Sequence, residues 1–167
     1  MKLLTLFVMF ALSMVPNLAG AATKPAQKAA SSLNVIKIPL AKGVGLDEAV
    51  DSMKLRANSL NMKLVSELPL SKEVEVNLGK PQRRMTIFQF CDALTAKQMV
   101  DFSIEFAAYL PCRIALIEDA NGQGWLLMYD LNVLINAGNL NKDLKKKAIE
   151  VRDMLNSIIK AGANGEL

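Results

Sequence analysis

The chain has 167 residues, with 20 Lys and Arg against 16 Asp and Glu, two Cys, one Trp and no His; that is enough for one domain with its own core and too little for two. The absence of histidine removes Ser-His-Asp hydrolysis, Cys-His proteolysis, His-ligated zinc or copper, c-type haem attachment and any imidazole pH switch. Hydrophobic residues at 51% argue against disorder, and a net charge of +4 without dense aromatics gives no footprint for nucleic acid.

Residues 1–21 carry a single charge, Lys2, then an apolar run over 3–18 and the small residues Ala19, Gly20 and Ala21. This pattern predicts a secretory signal peptide cleaved near Ala21, because a basic start, an apolar middle and small residues are what the export and cleavage machinery reads. A permanent membrane anchor would need about 20 apolar residues; this run is shorter and holds Pro16 and Asn17. A lipid anchor would need a cysteine where Ala21 stands. The mature chain is therefore expected in the periplasm or outside the cell, beginning with a flexible tether over 22–32 that is rich in Ala, Lys, Ser and Pro.

In chain order, residues 34–40 read as a strand, at an edge because Pro39 cannot donate to a ladder. Leu46, Ala49, Val50, Met53, Ala57 and Leu60 recur at helical spacing, with Asp47 and Glu48 in the first turn and Asn61 as a left-handed stop. A second strand is expected over 62–70, then a short helical turn over 72–78 capped by Ser71 and closed by Gly79. The basic loop Lys80 to Arg84 leads to a third strand over 85–90. Residues 95–108 fit two patterns, since Val100, Phe102, Ile104 and Phe106 alternate as in a strand while Thr95 and Gln98 form a capping box; helix is the favoured reading. Strands over 113–118 and 125–129 flank Asn121-Gly122 as a hairpin. Asp130 caps a short helix over 131–135, ended near Gly138. Asn141 caps a long helix to about Ala161, with Gly162 just beyond its end.

This order of elements, with Gly45-Leu46-Asp47-Glu48-Ala49, Ile87-Phe88, Tyr109-Leu110-Pro111, Arg113-Ile114 and Glu118-Asp119 followed by Gly122, resembles the domain-of-unknown-function family numbered 302. The resemblance covers residues 33–135 and leaves out the long final helix. It implies a small α+β domain, often self-associating, with no established activity or cofactor. The chain departs from the family's usual small turn residues at Phe90-Cys91-Asp92 and carries Cys112 after Leu110-Pro111.

Cys91 and Cys112 are the one constellation able to carry chemistry. In an oxidising compartment a disulfide is the plain reading, worth about 3 kcal/mol on the chain-entropy estimate. Were 95–108 a crossover helix between parallel strands, the two residues would lie about 15 Å apart, against a bridging limit of about 7 Å between Cα atoms. The sharper reading is a pair of accessible thiols that exchange with a partner, carry sulfane sulfur or bind Cu(I) with a methionine as third ligand. Lys80, Arg83, Arg84 or the helix start after Cys91 would then lower a thiol pKa. Inert buried thiols and an intermolecular bridge complete the set.

Gly43-Val44-Gly45 and Gly122-Gln123-Gly124 read as turns and not as phosphate loops. Asp92, Glu118 and Asp119 have no second acid placed for acid/base work. Met53, Met62, Met85, Met99, Met128 and Met154 fall mostly on core faces. Trp125 and Tyr129 share a strand face, as core aromatics or as a binding surface. Lys145, Lys146 and Lys147 read as solvated helix flank. The expected whole is an α+β, two-layer domain over 33–161, with a mixed, roughly five-stranded sheet, helices mainly on one face, a long C-terminal helix over 141–161 and a tail over 162–167. Its expected role is a non-catalytic accessory or binding domain, associated with a redox or sulfur pathway; the alternative is a thiol-dependent enzyme or a sulfur or Cu(I) carrier using Cys91 and Cys112. No catalytic or metal residue is assigned and no cofactor is expected. A protein partner or a homodimer is expected; nucleic acid and a permanent membrane anchor are not.

Overall fold

The computed structural model describes residues 34–166, so the signal peptide and the whole of the tether lie outside the described residues. Five strands, β1 (Val35–Pro39), β2 (Lys63–Leu68), β3 (Met85–Cys91), β4 (Cys112–Glu118) and β5 (Gly124–Tyr129), form one sheet in the order β1-β5-β4-β3-β2. The helices are α1 (Leu46–Ser59), α2 (Leu70–Leu78), α3 (Ala93–Phe102), α4 (Leu131–Ala137) and α5 (Lys142–Asn164), with a 3-10 helix over Ile104–Tyr109. The fold is α+β, and β1 is an edge strand that tolerates Pro39, as expected.

The sheet is antiparallel at every pairing, where a mixed sheet is expected from the sequence. The reason lies in the excursion between β3 and β4. It leaves after Cys91 and returns at Cys112, which pairs directly with Phe90, so the chain re-enters at the end it left and no crossover is made.

Strand alternation divides the side chains between two faces. One face presents Phe88, Phe90, Ile114, Leu116, Leu126 and Met128, all buried, to α1 and α5. Each large side chain withdrawn from water there contributes roughly 1.5–3 kcal/mol. The two long helices pack tightly at Gly162, where an added Cβ would lie 2.4 Å from Met53 Cγ and 3.0 Å from the Ala49 carbonyl oxygen. Gly162 is therefore a buried packing residue inside α5, not the expected stop. The helix runs on to Asn164 and ends at Gly165, whose φ of 66° provides the left-handed turn.

Other element ends follow their local chemistry. Asn61, at φ 55°, and Gly79, at φ 64°, stop α1 and α2 as expected. Ser71 is not a cap: α2 already starts at Leu70, after Pro69. Likewise the Thr95 and Gln98 box is not formed, because Asp92 lies three residues earlier and accepts from Leu94 N, Thr95 N and Thr95 Oγ1 at 3.1, 3.3 and 2.9 Å. A carboxylate at that position satisfies the exposed amides and complements the helix dipole. The double pattern of 95–108 resolves as α3, an extended Ser103 and the 3-10 helix, with the Phe102 and Phe106 rings 6.4 Å apart across the break.

The opposite face of the sheet has no buried residue. Its outward positions include Val35, Ile87, Ala115, Leu127 and Tyr129, partly or well exposed. No helix among the described residues is long and apolar enough to cross a membrane.

Candidate functional site

The antiparallel pairing of β3 with β4 brings the two cysteines to one end of the sheet, so the separation expected for parallel strands does not arise. They are nevertheless free thiols. Alternation explains why neighbouring cysteines stay unbridged: Cys112 shares the core face with its partner Phe90, and Cys91, one residue on, belongs to the other face. The intramolecular disulfide expected from compartment is absent from this fold.

Both residues line a small apolar cavity of about 70 Å³ at this end of the sheet. Cys91 and Asp92 lead into α3, which adds Thr95 and Met99 to the wall; Phe106 and Tyr109 come from the 3-10 helix. Leu131, Leu134 and Ile135 of α4 with Ala148 and Val151 of α5 complete it. The short helix α4, started by Asp130, whose side chain accepts from Asn132 N, and ended at Gly138, forms one wall of it.

Electrostatics at the site favour neutral sulfur. Burial pushes the Cys112 thiol from 9.0 up to about 11, the nearby Cys91 adds to the rise, and Arg113 opposes it. Burial also raises Cys91, with the Asp92 carboxylate acting in the same direction. Lys80, Arg83 and Arg84 cannot counter this, because they precede Met85 while Cys91 ends the same strand, a span of roughly 20 Å for seven residues. Arg84 instead pairs with Asp47, and its backbone N donates to Glu118 Oε2 at 3.1 Å. The start of α3 offers no help to Cys91 either, since Asp92 already caps it.

The remaining candidates have structural partners. Asp119 accepts from Trp125 Nε1 at 2.9 Å, from Asn121 N at 2.8 Å and from Gln123 N at 3.1 Å, and these bonds, that from Trp125 foremost, hold its carboxyl below the usual range. It ties the β4–β5 hairpin. Gly43 and Gly122 take positive φ in turns. Met53, Met62 and Met128 are core, Met85 and Met154 are half-buried, and Met99 alone of the six lines the thiol cavity. Lys147 Nζ donates to Gln98 Oε1 at 2.6 Å, while Lys145 and Lys146 are exposed on the flank of α5. Trp125 and Tyr129 lie on the uncovered sheet face, with Lys37 Nζ 3.9 Å from the Trp125 ring centroid. Among the described residues no three of His, Cys, Asp and Glu are grouped as a metal cluster.

A second hollow, about 390 Å³, opens on that uncovered face over Ile87, Ala115 and Leu127 and reaches round the sheet end. It shares Tyr109, Cys112, Leu131 and Leu134 with the first cavity. This groove is not among the candidates legible in the sequence, where Arg113 stands only among the residues of the family resemblance. The signal is Ala115 and Ile117 alternating with buried Ile114 and Leu116, which makes β4 apolar on both faces beyond Arg113.

The sequence profile of the family described as Domain of unknown function DUF302 matches residues 36–162, and so takes in the long C-terminal helix that the resemblance read from the sequence leaves out. No curated protein matches the chain. A solved structure described as the crystal structure of uncharacterized conserved protein DUF302 from Bacillus stearothermophilus is similar, with a TM-score of 0.64 at 14% identity over 77% of this chain and 98% of that one. At that identity the likeness concerns the fold. The match over most of the chain establishes that this protein belongs to the DUF302 family.

Proposed function

We propose that the protein is a non-catalytic binding domain that takes an apolar molecule in the paired hollows at the thiol end of its sheet. The observation that carries this reading is the meeting of two apolar cavities along the shared wall of Tyr109, Cys112, Leu131 and Leu134. A volume of about 390 Å³ falls within the range of small-molecule sites, which are lined mainly by apolar side chains. Protonated thiols suit such a lining, since a buried neutral cysteine behaves as a small hydrophobe. The test is fluorescence titration with N-phenyl-1-naphthylamine, an uncharged apolar probe. Saturable binding is expected in the wild type and is expected to weaken in Ala148→Phe, which places a ring in the smaller cavity; no saturable binding refutes the reading.

A second reading makes the same corner a soft-metal carrier for a redox or sulfur pathway. It is favoured by Met99 lining one cavity with Cys91 and Cys112, a donor set suited to Cu(I). Competition for Cu(I) against a chromophoric chelator tests it, and the second reading falls if Cys112→Ser binds as tightly as the wild type. Both readings place the mature chain outside the cytosol on the strength of the 1–21 pattern; N-terminal sequencing of exported protein should begin near Ala22.

A further inference from the structure

We infer that the groove on the uncovered sheet face is a site for an amphipathic carboxylate, an apolar body of the fatty-acid class whose carboxylate is held by Arg113. The inference rests on the binding-domain reading above and adds the charge and position of the ligand's head.

The register builds the hollow. Leu127, Ala115 and Ile87 stand in one cross-strand row, so the small Ala115 lies between two larger side chains and leaves a depression at the centre of the face. Arg113 is the next outward residue on the same strand and lines the same groove, together with Tyr109 and Tyr129. Arg113 is exposed and, like Arg83 of the basic loop, has no carboxylate partner among the described residues, whereas Arg56, Arg84 and Arg152 each pair with an acid; of the two, Arg113 alone lines the groove.

Charge complementarity selects the occupant. The ionisable groups at outward positions of the five strands, Tyr129 and Cys91 aside, are Lys37, Lys63 and Arg113, all cations; the acid at this face, Asp119, sits in the hairpin at the far end of β4 from Arg113 and is held by Trp125 Nε1. A second copy seated face to face would bring three strand cations from each copy into one interface, with only Asp119 of each copy, already bonded to Trp125, to offset them, which costs stability. An apolar molecule with one anionic end has no such conflict: its body covers Ile87, Ala115 and Leu127, and the planar guanidinium accommodates a carboxylate through two parallel hydrogen bonds.

The experiment uses purified full-length protein and three probes: 11-(dansylamino)undecanoic acid, its methyl ester and N-phenyl-1-naphthylamine. The acid should bind at least about tenfold tighter than the ester, the preference a charge-assisted bond supports. Arg113→Gln should bring the acid down to the ester's affinity without changing the melting temperature, and Ala115→Leu should weaken both by filling the depression. Equal affinity for acid and ester, or a preference that survives Arg113→Gln, overturns the inference; if the uncharged probe still binds, the binding-domain reading stands without it. Failure of all three probes overturns both. Sedimentation showing a dimer that excludes the acid would assign the face to a second copy and overturn the inference as well.

Discussion

Alkylation of the native protein tests the chemistry assigned to the two sulfurs. The attacking species is the thiolate, so reactivity scales with its fraction. A thiol with a pKa of 9.0 is about one-tenth ionised at pH 8. Cys112, pushed to about 11, is about one-thousandth ionised, a hundredfold deficit before any steric shielding. Timed labelling with iodoacetamide, read by peptide mass spectrometry, should show Cys112 reacting about a hundredfold more slowly than the same residue in urea-denatured chain. Its rate should climb about tenfold per pH unit with no plateau below pH 10, and Cys91, less buried, should react sooner. Equal labelling of both residues at the denatured rate, or a plateau for Cys112 near pH 8, would refute the assignment of neutral sulfur and point to a reactive thiolate.

Three further outcomes follow from the fold. Gly162→Val should lower the urea midpoint by an amount equivalent to about 1–3 kcal/mol or more, because its Cβ would meet Met53 Cγ at 2.4 Å; a gain in stability from better helix propensity would contradict the close approach of α1 and α5. Asp92→Ala should cost about 1 kcal/mol in the same assay as α3 loses its cap, and should shift the alkylation profile of Cys91 to lower pH, since the Asp92 charge raises that thiol. Cys112 is protonated in both states well below pH 9; near and above it the unfolded chain releases the proton first, so stability should fall by about 2 kcal/mol between pH 9 and 11. Cys112→Ala should show a flatter pH profile in urea titrations, and identical profiles would contradict the raised thiol.

Elements whose signal is local are legible from the amino acids alone. Asn61, Gly79, Asp130 and Asn141 mark helix ends by their own side-chain or backbone chemistry, and the structure uses all four. What escapes depends on partners distant in sequence. Gly162 reads as a stop until Met53 and Ala49 are brought against it. The sense of β4 relative to β3 is undetermined by residues 95–108, because an antiparallel return and a parallel crossover both accept a helix there. The site is half legible for the same reason. Cys91 and Cys112 stand out by type, whereas the groove needs the register that aligns Ile87, Ala115 and Leu127, and its cation Arg113 looks like any surface arginine until the strand pairing leaves it without an acid.

The most direct measurement is backbone amide NMR of the protein titrated with N-phenyl-1-naphthylamine. Saturable shifts are expected at Tyr109, Cys112, Leu131 and Leu134, the wall common to both hollows, with α2 unmoved. No shift at saturating probe, or shifts centred on α2, would contradict the binding-domain reading.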